Sequence, residues 1–277
     1  MLTTTVDGLW ALQVLTGIET LAPELGLRPL LPSVEPKSLA LQHPVTSELR
    51  AAGVIDEFDV VDSTVVEWLT VLHRRDVALF VQIRRPGDTE PARVLLARFA
   101  QWWVALERHE ELIRISGAGT ANAEQTASTV VTAQIDRLCG EHTSARLRPV
   151  TVDADALRAA ATSPDGLTAF LAEQRLESEQ LRILSLAADP AQSAQASIVA
   201  IQSGVATGRS ARTHIDGAAV TIVDTPEGRL VAEDVESSGK KWMIVAPGTK
   251  TNIAAAVNQM MRRLPAEHDW HSYRKVV

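Results

Sequence analysis

The segment Pro247-Gly248-Thr249-Lys250-Thr251 comes nearest in this sequence to a phosphate-binding loop. Such a loop needs Gly-x4-Gly-Lys followed by Ser or Thr, because closely spaced backbone N–H groups must surround the phosphate. Thr249 stands where the second glycine belongs, and the first glycine of the pattern is missing. The segment is therefore predicted to begin a helix, with Thr249 or Thr251 as its cap.

The spacing of residues does not indicate nucleophilic catalysis or metal binding either. The sequence contains neither a Gly-x-Ser-x-Gly nucleophile elbow nor a His-x-x-x-His pair. Potential metal ligands gather at residues 267–271, but adjacent side chains do not easily converge on one ion. Cys139, the only cysteine, falls in an apolar helical stretch and is expected to be a buried, inert thiol. We predict no catalytic residue, no metal and no cofactor.

The overall composition favours a globular protein that binds neither nucleic acid nor membranes. Of the 277 residues 45% are hydrophobic and 22% charged, and the net charge is -7. An acidic surface repels phosphates and anionic lipid headgroups. The N-terminus lacks the basic region of a signal peptide, and no stretch approaches the ~18 apolar residues of a membrane span. We expect a cytoplasmic protein without membrane insertion.

Hydrophobic periodicity predicts one domain over residues 1–277, built from two similar halves, about 1–145 and 146–277. In the first half the pattern predicts strands over 6–15, 77–85, 93–106 and 111–116, and helices over 47–53, 63–72 and 121–138. In the second half it predicts helices over 152–162, 167–188 and 251–264, and strands over 194–202, 218–232 (two runs around a turn) and 241–245.

Two short correspondences support a duplication. Residues 49–52 match residues 157–160, and residues 112–115 match residues 242–245 in strand character and in the glycine turn and helix that follow. Chance similarity of short alanine-rich pieces is the alternative, so the shared order of elements carries more weight. The predicted fold is α+β, a quasi-twofold duplicated unit with a central antiparallel sheet and two α-helical bundles.

Tryptophan and methionine are the residues best suited to contact a partner. Trp102 and Trp103 are adjacent, so on a strand they point to opposite faces. One can fill the core while the other meets a bundle or a partner, unless both faces of the sheet are covered. Met260 and Met261 fit core packing, and equally an adaptable apolar groove for a partner's helical tip.

Several segments resemble one family. These are TVDGLWALQVLTG, VALFVQIRRPGD, RFAQWW and KWMIVAPGTKTNIAAAVNQMMRRLP. They are similar to the EspG family, the cytosolic secretion-associated chaperones of mycobacterial type VII (ESX) systems, and within it most similar to the ESX-1 member. The resemblance covers essentially the whole chain. It implies the same quasi-twofold fold and binding of a cognate PE–PPE heterodimer at the tip of the PPE helical bundle.

The resemblance also implies where the client binds. The implied surface comprises the sheet, the C-terminal helices over residues 167–186 and 253–260, and the loop of residues 85–91 between the second and third strands. The predicted contact residues are Arg85, Asp88, Glu90, Trp103, Leu167, Phe170, Leu181, Ile253, Val257 and Met260. Two alternatives stay open: an enzyme whose site is assembled from dispersed residues, and a structural scaffold or homo-oligomer such as a homodimer.

Overall fold

The computed structural model of the protein describes residues 1–27, 35–206 and 211–275. In these ranges the helices are α1 Val6–Thr16, α2 Lys37–Gln42, α3 Pro44–Ala51, α4 Ser63–Arg74, α5 Glu124–Cys139, α6 Ala154–Ala160, α7 Pro164–Glu173, α8 Ser178–Ala188 and α9 Lys250–Arg262, with 3₁₀ turns at Pro23–Leu25 and Glu267–His271. The strands are β1 Leu2–Thr5, β2 Val77–Arg84, β3 Ala92–Phe99, β4 Trp102–His109, β5 Leu112–Thr120, β6 Val150–Asp153, β7 Ala194–Ala206, β8 Ala211–Ile215, β9 Val220–Thr225, β10 Gly228–Ser237 and β11 Lys240–Pro247.

All these strands belong to one antiparallel sheet whose order is symmetric about its centre. The order is β1-β5-β4-β3-β2-β7-β9-β10-β11-β6, with β8 added beside β7. The central pair joins the halves, with Val77 opposite Gln202 and Arg84 opposite Gln195. In each half a short edge strand runs directly into a helix, and the last strand is followed by a long helix. The predicted α+β fold with a quasi-twofold sheet is therefore confirmed.

The positions of these segments in the fold support one of the two sequence correspondences and contradict the other. In the first half β5 pairs with the edge strand β1, and in the second half β11 pairs in the same way with β6, so residues 112–115 and 242–245 occupy equivalent places. Residues 49–52 lie in α3 or just after it, whereas residues 157–160 lie in α6, which follows its edge strand as α1 does. The match of residues 49–52 with residues 157–160 is therefore wrong, because similar helical sequences recur in elements that are not equivalent.

The sheet has two faces, which we call the two-helix face and the bundle face. Residues directly opposite one another in an antiparallel ladder point to the same side. On the two-helix face, Leu79 and Ile198 pack in one core with α5 and α9. On the bundle face, Ala78 and Ile201 lie under α1 to α4 at one end, and Val223 lies under α7 and α8 at the other. Within the described ranges no helix has the length and apolar content to cross a bilayer.

The predicted strand over residues 6–15 is wrong, because this segment is helix α1. Its residues are apolar on most sides and largely buried, and periodicity alone does not separate a buried helix from a buried strand. The Thr5 hydroxyl accepts the Gly8 N–H at 3.2 Å and caps the helix, and Gly17 ends it with φ 71°. The true first strand is the short β1 before it.

The predicted long strand over residues 93–106 is also wrong, because a tight turn divides it into β3 and β4. Ala100 makes the turn with φ 57°, a left-handed conformation that the sequence does not signal with glycine or asparagine. The Ala100 N–H donates to Asp76 Oδ2 at 3.2 Å, so a distant carboxylate supports the turn. Neither β6 nor β8 was predicted; with four and five residues they are too short for clear alternation.

The two adjacent tryptophans do lie on opposite faces, as predicted. Trp103 is 1% exposed and packs edge-on against Trp270, with ring centroids 6.4 Å apart, whereas Trp102 is 50% exposed. We expect Trp103→Phe to lower the free energy of unfolding by about 1–2 kcal/mol, because a smaller ring leaves a void in the core. Trp102→Phe is the matched control and should leave it within about 0.5 kcal/mol. Urea denaturation measures both, and equal effects would contradict the assignment.

Candidate binding surface

The bundle face of the sheet is partly exposed between the two bundles. Phe80 lies opposite Val199, Gln82 lies opposite Ser197, and Ser197 lies opposite Thr221. We call these five residues the central strip. Gln82 is exposed and the other four are half-buried. Helix α4 packs on β3, β4 and β5, and α8 packs on β9, so the strip lies between them on the strands that join the two halves.

Strand alternation explains how the sequence builds this strip. In β2 the residues Val77, Leu79, Val81 and Ile83 are buried on the two-helix face, whereas Phe80 and Gln82 alternate with them and point the other way. The strip carries apolar groups beside uncharged hydrogen-bonding groups and has no ionised side chain. Covering these five residues therefore costs no desolvation of a charge, and the neighbouring Arg93, opposite Gln82, already donates to the Leu25 carbonyl at 3.3 Å. This surface is suited to binding a protein rather than to catalysis.

A preformed loop, residues 85–91, lies at one end of the strip. The Arg85 N–H donates to Asp88 Oδ2 at 2.8 Å, and the Asp88 N–H donates back to the Arg85 carbonyl at 3.1 Å. Gly87 has φ 86°, a conformation that disfavours other residues. Asp88 therefore holds the turn together, while the predicted contact residues Arg85 and Glu90 are exposed, Arg85 near Ile83 of the two-helix face.

The C-terminal bundle borders the strip on its other side. Leu167, Phe170 and Leu181 are half-buried and pack around the core of α7 and α8, whose centre contains Leu171 and Ile183. Their partly exposed side chains remain available to a partner. Six of the ten predicted residues, those of the loop and of this bundle, are thus exposed or half-buried, and their contact with a client stays a prediction.

The other four predicted contact residues are buried in the core. Ile253, Val257 and Met260 are 3%, 2% and 0% exposed, because the apolar face of α9 is used to cover the two-helix face. Trp103 belongs to the same core. An apolar stripe at helical spacing indicates burial, but it does not distinguish burial in the core from burial under a partner. The central strip was not predicted, although the alternation in β2 places Phe80 and Gln82 on the face opposite Leu79 and Val81.

The remaining chemical candidates take structural roles. Thr249 caps α9, as predicted, with its hydroxyl accepting the Asn252 N–H at 3.1 Å. In the described part of the chain, no group of three or more His, Cys, Asp or Glu residues is placed to hold a metal ion. Burial raises the pKa of the Cys139 thiol to about 11, with smaller effects from Arg229 and nearby aspartates. An activated cysteine has the opposite shift.

This shift predicts slow thiol chemistry at Cys139. Since an ordinary cysteine has a pKa near 8.5, a pKa of about 11 lowers the thiolate fraction at pH 8 by roughly 200-fold. We expect iodoacetamide to modify the folded protein at least about 100-fold more slowly than it modifies the same protein in urea. Mass spectrometry of quenched time points measures both rates. Comparable rates would show that Cys139 is accessible and ionised.

Comparisons with known proteins identify the class of this chain. The model of the EspG family matches residues 5–259. The ESX-2 secretion-associated protein EspG2 of Mycobacterium tuberculosis (strains CDC 1551 / Oshkosh and ATCC 25618 / H37Rv) is 50% identical over 277 residues, which is 100% of both chains. The ESX-5 secretion-associated protein EspG5 of Mycobacterium marinum (strain ATCC BAA-535 / M) is 26% identical over 308 residues, covering 99% of this chain and 97% of that one.

A solved structure shares the fold. It is that of the Mycobacterium tuberculosis type VII secretion system chaperone EspG5 in complex with a PE25-PPE41 dimer. Its TM-score is 0.73 at 20% sequence identity, over 96% of this chain and 97% of that chain. The family model and the 50% identical relative establish that this chain belongs to the EspG family. The predicted assignment to the ESX-1 member finds no support, since these relatives carry ESX-2 and ESX-5 names.

Proposed function

We propose that this chain is a cytosolic chaperone of a type VII secretion system that binds a PE–PPE heterodimer at the helical tip of the PPE protein before export. Its membership of the EspG family over residues 5–259 carries this proposal. The fold it shares with EspG5, which was solved in complex with PE25-PPE41, supports it. The uncharged central strip supplies the surface.

The cognate system we propose is ESX-2. The relative named for ESX-2 is 50% identical over the whole of both chains, whereas the relative named for ESX-5 is 26% identical. Client choice depends on side chains at the surface rather than on the fold, so the relative with more shared side chains is the better guide to the client.

The physical reason for such a role lies in the client. An apolar helical tip left bare in the cytosol self-associates, because exposed apolar patches promote aggregation. The central strip and the partly exposed leucines of α7 and α8 offer such a tip apolar contacts and hydrogen bonds. Release before export needs only moderate affinity, which a modest interface provides.

Co-expression tests the proposal. This chain is produced together with a tagged PE–PPE pair encoded with an ESX-2 system. The proteins that are purified through the tag are then analysed by size-exclusion chromatography. We expect the three proteins to co-elute in equal amounts. PE25-PPE41, the pair seen with EspG5, is the control for specificity and should not co-elute. Failure with every ESX-2 pair would reject the assignment to ESX-2, and failure with every PE–PPE pair would reject the chaperone function.

The two alternatives have less support. A site assembled from dispersed residues needs an activated nucleophile or a set of convergent ionised groups. The raised pKa of Cys139 does not favour an activated nucleophile, and the uncharged strip does not favour a set of ionised groups. A homo-oligomeric scaffold would place a second copy on the central strip. Addition of client would then dissociate the oligomer, which light scattering during a titration would detect.

A further inference from the structure

A second surface lies on the two-helix face, at the end of β2 to β5. It is a groove of about 340 Å³ beyond the last turn of α5. Ile83 lies opposite Ala92, and His109 lies opposite Leu112, so these residues form the floor at the end of the sheet. Because α5 ends at Cys139, the helix does not extend over this part of the sheet, and Leu112 is 38% exposed.

Arginine side chains surround this floor. Arg85 and Arg114 are exposed, and neither has an ion-pair partner among the described residues. Arg137 stands at the rim and binds Glu107 at 2.7 Å, so the one carboxylate of the described lining is already neutralised. Arg108 reaches the other side of the sheet, where it donates to the carbonyl of Gly26 at 3.1 Å. The groove therefore carries excess positive charge on a chain whose net charge is -7.

The neighbouring end of α5 does not cancel this charge. The last carbonyls of a helix carry partial negative charge that would repel an anion. Here Arg229 donates to the carbonyls of Cys139 and Gly140 at 2.8 and 2.9 Å, while its guanidinium also binds Asp224. The carbonyls at the helix end are thus satisfied from within the fold, and the exposed arginines dominate the electrostatics of the groove.

We propose that this groove binds an extended acidic segment of a second protein, one that alternates carboxylates with apolar side chains. Arg114 and Arg85 would bind the carboxylates through charge-assisted hydrogen bonds, and the exposed apolar floor at Leu112 and Ala92 would take an apolar side chain. The groove is short. Long polyanions such as nucleic acid, and anionic bilayers, would meet the acidic remainder of the chain, so a short acidic peptide fits better.

This surface is separate from the central strip because the two lie on opposite faces of the sheet. The row through Ile83 and Ala92 faces α5, whereas Phe80 and Gln82 face the bundles. A client on the central strip and an acidic segment in the groove can therefore be bound at the same time, with Arg85 serving the groove rather than the client. The chain would then act as an adaptor that presents its client to a further component, a role that goes beyond keeping the client soluble.

Fluorescence anisotropy with the full-length chain tests the groove. The probe is a fluorescein-labelled decapeptide of alternating Asp and Leu, and an Asn/Leu peptide is the uncharged comparison. We expect the acidic peptide to bind at least tenfold more tightly than the uncharged one, and its affinity to fall several-fold between 50 and 300 mM NaCl, as expected for exposed charges. Arg114→Glu should weaken binding by about tenfold, and Arg114→Gln by about threefold.

Arg146→Glu is the matched control, because Arg146 is exposed, lies in the second half, and has no ion pair in the part of the chain that the structure describes. The Arg146→Glu variant should bind the acidic peptide with the same affinity as the unchanged chain. Circular dichroism and co-elution with client confirm that each variant is folded, and these two readouts separate a failure of the groove from a failure of the chaperone function. Equal weakening by Arg114→Glu and Arg146→Glu would overturn the proposal. Tighter, Arg114-dependent binding of a thymidine dodecamer or of anionic vesicles would overturn it in favour of that ligand.

Discussion

The substitution Ser197→Arg should abolish co-elution of this chain with its PE–PPE client. Ser197 lies at the middle of the central strip, between Gln82 on β2 and Thr221 on β9. A long charged side chain there blocks close approach and would be buried without a counter-charge in the complex. We expect a loss of at least about 3 kcal/mol, or more than 100-fold in Kd, measured by isothermal titration calorimetry.

Ser237→Arg makes the same change at an exposed position near the β10–β11 hairpin turn, outside the strip, and should leave the affinity unchanged. Both variants should melt within a few degrees of the unchanged chain, since exposed and half-exposed strand positions tolerate arginine. If Ser197→Arg still bound its client with unchanged affinity, the client would lie elsewhere, and the loop of residues 85–91 together with α7 and α8 would have to supply the contact alone.

Much of the fold follows from the sequence because several elements carry their own signals. The period of α4, the alternation in β5 and the cap of α9 at Thr249 each specify a local structure. Where a local signal is ambiguous, the prediction failed. Helix α1 is apolar on most sides, and the Ala100 turn depends on Asp76, which lies 24 residues earlier in the chain.

The binding surface was only partly predictable for a different reason. Alternation shows that Phe80 and Gln82 point away from Leu79 and Val81, but not whether a helix covers them. That depends on the pairing of β2 with β7, which joins residues more than 100 positions apart and places one bundle at each end of the sheet. For the same reason α9 looked available to a partner, although it is needed to cover the opposite face.

A buried polar network holds the centre of the sheet to the C-terminal segment. Asp76 is 1% exposed, and its carboxylate accepts the N–H of Ala100 at 3.2 Å and that of Lys275 at 3.0 Å. Arg98 is fully buried and donates to the carbonyls of Ala100 and Tyr273 at 2.8 and 2.7 Å. Burial lowers the pKa of Arg98 to about 10, and the charge of Asp76 acts against that shift. The two charged groups therefore depend on one another.

Asp76→Ala should destabilise the protein by about 3–5 kcal/mol, because it leaves the buried Arg98 without its nearby counter-charge and two backbone N–H groups without their acceptor. Asp76→Asn keeps an acceptor and should cost about 2 kcal/mol. Guanidinium chloride denaturation measures both. Because the Lys275 N–H loses its anchor, we also expect trypsin to cleave after Arg274 faster in the Asp76→Ala variant than in the unchanged chain.

A double-mutant cycle separates the effect of charge from that of packing. Arg98→Met removes the buried cation while keeping most of its stem, so the Asp76→Asn/Arg98→Met variant contains neither charge. If the charges depend on one another, the double variant should be about 1–3 kcal/mol more stable than the sum of the single effects predicts. Additive effects would show that Asp76 acts through its hydrogen bonds to Ala100 and Lys275 and its ion pair with Arg274 at 3.6 Å, and not through Arg98. A loss below about 1 kcal/mol for Asp76→Ala would show that the network contributes little to folding.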